Sequence, residues 1–242
     1  MTSTTHSNKT HNKKVMLFPG EEYNFNRLLL PYNIFSFSSS KLYSKKFSIL
    51  NLSSKINPES VLYYGKYYTP TIDDVILGII TQKTYDNYKL DINTSQEAVL
   101  GLTEFEGATR KTKPNLQVGD IVFAKVVLDN KFHNTVLTCK CEENIKNWSS
   151  GESTFGQLNG GTMYSLDRLK CIKLINNNKI IKRIQDYIDV EVCIGMNGRI
   201  WISTTESVNN MKVFDVISRS FNEDEESVER YINVLFNLDN KK

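Results

Sequence analysis

DVEVCIGMNGRIWIST, residues 189–204, holds two glycines three residues apart, with an Arg and a Trp close behind. Glycines at that spacing can cradle a phosphate, and they can also simply turn a chain. DVEVCIG (189–195) and RIWIST (199–204) read as strands on either side of an Asn-Gly pair. Asn197-Gly198 is a strong hairpin signal, because a type I′ turn needs positive φ at both central residues. Met196 and Arg199 are then expected to face each other as the last cross-strand pair. On this reading the glycines close a hairpin and do not clamp phosphate.

The elements upstream and downstream of the hairpin set its context. A short strand ends near Tyr164, and LDRLKCIKLI follows with Leu166, Leu169, Ile172, Leu174 and Ile175 at helical spacing. Three asparagines interrupt, and KIIKRIQDYI is a second short helix. After the hairpin, SVNNMKVFDVISRSF is a long helix. EDEESVERYINVLFNL is another, with Asn222 as the expected N-cap and acids in its first turn. The order strand, helix, helix, strand, strand, helix is that of a eukaryotic-type KH domain, plus one terminal helix. A KH domain that grips RNA uses a GxxG loop between its first two helices. Here that junction is LINNNKII (174–181), which has no glycine. Its asparagine side chains hinder close approach of a phosphate backbone, so the usual KH grip is expected to be missing.

Before the linker ENIKNWSSGES (143–153) the chain reads as successive strands. They are DVILGII (74–80), YKLDI (88–92), AVLGLTEF (98–105), IVFAKVVL (121–128) and NTVLTCKC (134–141). In YKLDI, residues Tyr88, Leu90 and Ile92 share one face. Five short strands in about 75 residues, with no long helix between them, suit a small closed barrel of OB type. Further upstream, VMLFPGEEY is a short strand running into a Pro-Gly turn. Residues 23–66 form a small β-rich unit, with SFSSSKLYSKK as a loop or hairpin tip. MTSTTHSNKTHNKK is expected to be a disordered tail. The expected domains are thus a tail at 1–14, a β-rich domain at 15–66, the OB-type barrel at 67–148 and the KH domain at 149–242. The fold class is mixed β and α+β.

Composition limits the chemistry. The 242 residues carry 24% charged side chains and a net charge of only +3, so local clusters must decide whether nucleic acid is a partner. No apolar run approaches the ~20 residues of a membrane span. No secretory signal pattern opens the chain, so a soluble intracellular protein with reduced thiols is expected. Of three histidines, only His133 lies outside the polar tail, which nearly excludes chemistry based on a His pair. Zinc takes four ligands, commonly as two close pairs. Cys139 and Cys141 make one pair, whereas Cys171 and Cys193 are far apart in sequence. Packed free thiols are expected, with no metal and no cofactor. The acids Asp73, Asp74, Glu104 and Glu106 and the run 223–226 could in principle hold metal ions for hydrolysis. The run complements a helix dipole instead, and Asp74 and Asp120 look like turn residues. No catalytic residue is expected.

Two basic clusters remain. GATRKTKP places Arg110, Lys111 and Lys113 in a loop between barrel strands, able to track an RNA backbone, with Phe105 near enough to stack on a base. The alternative is a solvated turn with Phe105 in the core. Arg168, Lys170, Lys173, Lys179, Lys182 and Arg183 lie on the helix pair, where a solvent face is the plainer reading.

FEGATRKTKPNLQVGDIVFAKV (105–126), FGQLNGG (155–161) and EVCIGMNGRIWI (191–202), with the early PGE and YYTPTIDDVILGII (67–80), together resemble the ribosomal RNA-processing protein 40 family of exosome cap subunits. The likeness runs over about residues 15–220. It implies an N-terminal β domain, an S1 domain of OB type and a KH domain, in a subunit without catalysis of its own. It implies single-stranded RNA as ligand and, as partners, the RNase PH-like ring and other cap subunits. It also implies residence in the nucleus, nucleolus included, and in the cytoplasm, with no membrane partner. In such relatives the segment Gly195, Met196, Asn197, Gly198, Arg199 and Trp201 packs the KH domain on the S1 domain. Arg110, Lys111 and Lys113 would then face the RNA, Lys113 standing where an Arg is usual. A stand-alone OB–KH RNA-binding protein and a nuclease in its own right are the alternatives.

Overall fold

The structure is a computed structural model and describes residues 13–23, 35–38, 41–45, 47–52, 61–63, 68–130, 133–141, 148–150 and 153–236. The chain divides into two compact units, Met1–Lys66 and Tyr67–Lys242. The first holds two three-stranded antiparallel sheets. One has β1 (Lys13–Leu17), β5 (Ser48–Leu52) and β6 (Val61–Tyr63) in the order β1-β5-β6. The other has β2 (Glu22–Tyr23), β3 (Phe35–Ser38) and β4 (Lys41–Ser44) in the order β2-β4-β3. Residues 1–12 of the expected tail lie outside the described residues, and Lys13 and Lys14 belong to β1 rather than to a tail. Within the polar segment 36–46, Ser38 pairs with Lys41, so it is a hairpin.

In the second unit, β7 (Val75–Lys83), β8 (Asn87–Asp91), β9 (Ala98–Phe105), β10 (Ile121–Asn130) and β11 (His133–Cys139) close a five-stranded barrel. Neighbours are antiparallel except β9 and β11, and the β10–β11 pairing closes the ring. The period-2 pattern sets the inside: Tyr88, Leu90, Ala98, Leu100, Val122, Ala124 and Val126 are all fully buried. β12 (Gly156–Leu158) adds to the edge of β10.

β13 (Thr162–Ser165), α1 (Arg168–Asn176), α2 (Lys179–Gln185), β14 (Val190–Gly195), β15 (Arg199–Thr204), α3 (Ser207–Arg219) and α4 (Glu225–Leu235) follow in the order expected for a KH domain with an added helix. The antiparallel sheet runs β13-β15-β14. Ile200 and Ile202 join the helices Val213, Val216, Ile217, Val228 and Ile232 in one core. Arg199 and Trp201, on the alternate positions, therefore point from the other face of the sheet.

Two local expectations need correction. The hairpin closes on Gly195 and Arg199, not on Met196 and Arg199, so its loop has three residues. Of these only Gly198 has positive φ, at 81°; this is the left-handed residue of a three-residue hairpin rather than a type I′ turn. The N-cap of α4 is Asp224 rather than Asn222: its carboxylate accepts from the Ser227 N–H (3.4 Å) and Ser227 Oγ (2.8 Å). Asn222 lies in the turn after the α3 C-cap Ser220, its N–H donating to Arg219 O (2.9 Å).

Candidate nucleic-acid interface

The basic loop leaves β9 through a turn in which the Ala108 N–H donates to Phe105 O (3.0 Å). Thr109 and Thr112 then clasp each other: Thr109 N–H to Thr112 O at 2.8 Å and Thr112 N–H to Thr109 Oγ1 at 3.1 Å. Arg110 and Lys111 sit at the tip between them. The returning limb is anchored from inside the barrel. The Tyr88 hydroxyl donates to Pro114 O (2.7 Å) and accepts from the Leu116 N–H (3.1 Å). Burial pushes the Tyr88 phenol up, so it stays a neutral bridging hydroxyl. The Lys83 ammonium donates to Asn115 Oδ1 and to Leu116 O. Arg110, Lys111 and Lys113 are exposed. Among the described residues none of the three has a carboxylate partner, in contrast with Lys89, Lys125 and Lys140. Three unneutralised cations on an anchored loop suit a polyanion.

Phe105 does not share that surface. It is 1% exposed and meets the Tyr88 ring edge-on, with centroids 6.4 Å apart. Its position on β9 puts it inside, so the core reading holds and it offers no face to a base.

The hairpin segment meets the barrel. Asn197 is 1% exposed. Its amide donates to Leu77 O (2.8 Å) and Ile92 O (3.0 Å) and accepts from the Leu77 N–H (3.3 Å). The side chain thus behaves as an extra peptide unit against β7. The Met196 N–H donates to Val75 O (2.8 Å), and Met196 packs on the barrel core. Arg199 donates to Leu77 O (3.2 Å), Asp91 O (2.6 Å) and the Asp91 carboxylate (2.6 Å). Burial pushes the Asp91 carboxyl up, but the Asn93 N–H and the Arg199 guanidinium outweigh it, and its pKa is lowered. A Cβ on Gly195 would lie 2.9 Å from Leu77 N and against the Asn197 amide, so only glycine fits there. Trp201, 2% exposed, lies where a Cβ on Gly161 would run into its indole. Its Nε1 is buried without a hydrogen-bond partner. The segment is therefore packing machinery between barrel and KH sheet, and no phosphate cradle.

Of the second basic cluster, Lys173, Lys179 and Lys182 are exposed, and the other three have partners within the fold. Arg168 turns back to the barrel, donating from Nε to Met196 O (3.1 Å) and lying over the Tyr68 ring. The Tyr68 hydroxyl in turn donates to Asp74, whose carboxyl is pushed up by burial. Lys170 lies over Phe221, and Arg183 pairs with Glu225 at 3.3 Å. The α1–α2 junction is two residues, Asn177 and Asn178, both with negative φ. It opens on a groove of about 240 Å³ that Glu223 and Glu225 share with Lys173, Lys179 and Arg183. Both acids are already paired, Glu225 with Arg183 and Glu223 with Arg219 (3.7 Å), while Lys173 and Lys179 are exposed.

The remaining chemical candidates are accounted for by structure. Glu104 holds Lys140 and Thr138, Glu106 accepts from the Cys141 N–H, and Asp73 pairs with Lys125. Cys139 and Cys171 are buried, and burial pushes the Cys171 thiol up to about 12. No group of three metal-binding side chains occurs among the described residues. No helix among them is long and apolar enough to cross a membrane. Sequence reading missed Asp91, Asn93 and Arg168 at the seam. Asn93 stands at a φ of 64°, and its amide donates to Asn197 O (3.0 Å), a partner 104 residues away that no local pattern signals.

Comparison with known proteins agrees with this geometry. The family described as "Exosome complex component RRP40, S1 domain" matches residues 68–151, and the KH domain family matches 161–208. The chain is 31% identical to the exosome complex component rrp40 of Schizosaccharomyces pombe over 67% of each chain. It is 33% identical to the human exosome complex component RRP40 over 57% of this chain and 48% of that one. A crystal structure of an exosome complex RNA-binding protein shares the fold, with a TM-score of 0.53 and 22% identity over 70% of this chain and 95% of that one. With an S1-type barrel, a KH sheet locked to it through Asn197 and Arg199, and this degree of identity, the chain belongs to the exosome complex component RRP40 family.

Proposed function

We propose that this chain is a non-catalytic RNA-binding cap subunit of the RNA exosome, guiding single-stranded RNA toward a 3′–5′ exonuclease carried by another chain. The observation that carries the reading is the anchored loop whose Arg110, Lys111 and Lys113 lack carboxylate partners among the described residues. Phosphate contacts of this kind bind salt-sensitively and almost without regard to sequence. The barrel–KH seam supports the reading from another side. Hydrogen bonds from Asn197 and Arg199 join the KH sheet to the barrel that carries the loop. The partners on this reading are the RNase PH-like ring subunits and the other cap subunits. The compartments are the nucleus, nucleolus included, and the cytoplasm.

Native purification of the full chain with mass spectrometry tests the assembly. Six ring subunits should co-purify, and their absence would favour a stand-alone RNA-binding protein. The purified chain with RNA, divalent metal and phosphate should leave the RNA at full length, and shortened RNA would overturn the non-catalytic role. A fluorescent fusion should light the nucleus, nucleolus and cytoplasm.

A further inference from the structure

The geometry points to Tyr85 as a base-stacking platform for single-stranded RNA, placed beside the basic loop at one end of the barrel. The inference rests on the RNA-binding reading above and adds the residue that would take a base rather than a phosphate. Tyr85 is 90% exposed, more than any other large apolar or aromatic side chain among the described residues. A single exposed ring is ordinary on a protein surface. Its mounting sets this one apart.

Tyr85 stands in the turn between β7 and β8, and that turn is rigid. The Thr84 N–H donates to Asn87 O at 2.8 Å, and Thr84 Oγ1 lies 2.7 Å from both Asn87 O and Oδ1, its one proton serving either acceptor. The Asn87 N–H returns a bond to Thr84 Oγ1 at 3.2 Å. The Leu102 N–H donates to Asp86 O (3.1 Å), which ties the far side of the turn to β9. A ring on such a base loses little freedom when a nucleobase settles on it.

Its neighbours carry the charge. Lys83, two residues before Tyr85, is bonded to Asn115 and Leu116 on the returning limb of the basic loop. Asn115 lies two residues from Lys113. Strands β7 and β9 both end at this side of the barrel, so the turn and the loop emerge together. The connection between the first two strands of an OB barrel is a usual oligonucleotide contact. Asp86, next in the turn, repels phosphate and so favours a backbone running over the lysines, with a base turned onto the ring. Phe105, the aromatic residue expected from sequence to stack, is buried; Tyr85 has the exposure that Phe105 lacks.

The test measures binding of a short single-stranded RNA bearing 2-aminopurine to the full chain, over a range of salt. Tyr85→Ala should weaken binding about 5- to 100-fold and remove the quenching of 2-aminopurine. The salt slope should stay as in the parent protein, because no phosphate contact is lost. Tyr85→Phe should bind within about twofold of the parent, since stacking needs only the ring face. An Ala variant with unchanged affinity and quenching would overturn the stacking role while leaving the RNA reading intact; the ring would then face a protein neighbour. A parent protein whose RNA affinity showed no salt dependence would overturn the RNA reading and the stacking with it. Tyr85 makes little of the core, so an unchanged melting temperature verifies that each variant is folded.

Discussion

The side-chain amide of Asn197 meets Leu77 as a neighbouring strand would, giving and taking a hydrogen bond, and uses its second N–H on Ile92 O. Truncation to Ala would leave the Leu77 N–H and Ile92 O without the Asn197 amide, while Leu77 O would keep its bond from Arg199. A buried unsatisfied polar group costs about 1–3 kcal/mol, so Asn197→Ala should lower stability by about 2–4 kcal/mol in urea unfolding. Asn197→Asp, nearly the same shape, should be at least as damaging at neutral pH. Its carboxylate would face the two carbonyl oxygens that the amide now serves. Trp201 poses a different question, one of volume. Trp201→Ala removes a buried indole and should cost about 3–5 kcal/mol. RNA binding by the folded fraction should persist; normal stability with lost RNA binding would show that the packing role is wrong. That Asn-Gly marks a hairpin was legible from local turn chemistry. That the Asn itself reaches out of the hairpin was not, because its partners lie 105 and 120 residues away.

Among the elements, β15 and β7 set the seam between barrel and KH sheet. Period-2 geometry sends Ile200 and Ile202 to the helices and Arg199 and Trp201 to the other face. Arg199 then reaches Asp91 at the end of β8. Because the folded Asp91 carboxyl has a lowered pKa, its contribution to stability is complete above the unfolded value of about 4 and is lost as pH falls through the folded value. Asp91→Asn should therefore lose stability at pH 7 and flatten the acid limb of the stability–pH curve. An acid limb identical to that of the parent would sink the linkage. Asp91 is 46% exposed, so solvent screening keeps the pair to the order of 1 kcal/mol. The two helices α1 and α2 were legible from apolar spacing. Their basic residues were read as one solvent face. Lys173, Lys179 and Lys182 are exposed in keeping with that reading, whereas tertiary packing turns Arg168 to Met196 and Tyr68, Lys170 to Phe221 and Arg183 to Glu225. Helix α4 makes that last pairing possible, and no periodicity in α2 could foretell it.

At the level of the whole second unit, barrel and KH sheet share buried hydrogen bonds and should unfold together. The two tryptophans report on the two sides: Trp148 packs against the barrel core and Trp201 lies on the KH sheet. Single-tryptophan proteins made by Trp148→Phe and Trp201→Phe should give coincident denaturation midpoints, whereas separated midpoints would mean independent domains. For RNA, each phosphate contact to a single strand contributes about −0.7 to the slope of log K against log salt. The double variant Arg110→Ala, Lys111→Ala should thus flatten the slope by about 1.4, and an unchanged slope would remove both residues from the RNA path. The sequence by itself determined the strand and helix order, the barrel interior, the presence of a hairpin at Asn197-Gly198 and the family, because these rest on local periodicity, turn chemistry and ordered motifs; the closing pair, Gly195 with Arg199, came from the structure. Tertiary structure alone decided three matters: that Phe105 lies inside, that Asn197 and Arg199 bond to the barrel backbone, and that Tyr85 stands beside the basic loop. Each depends on which residues distant in sequence share one volume, and no local pattern encodes a distance across the fold.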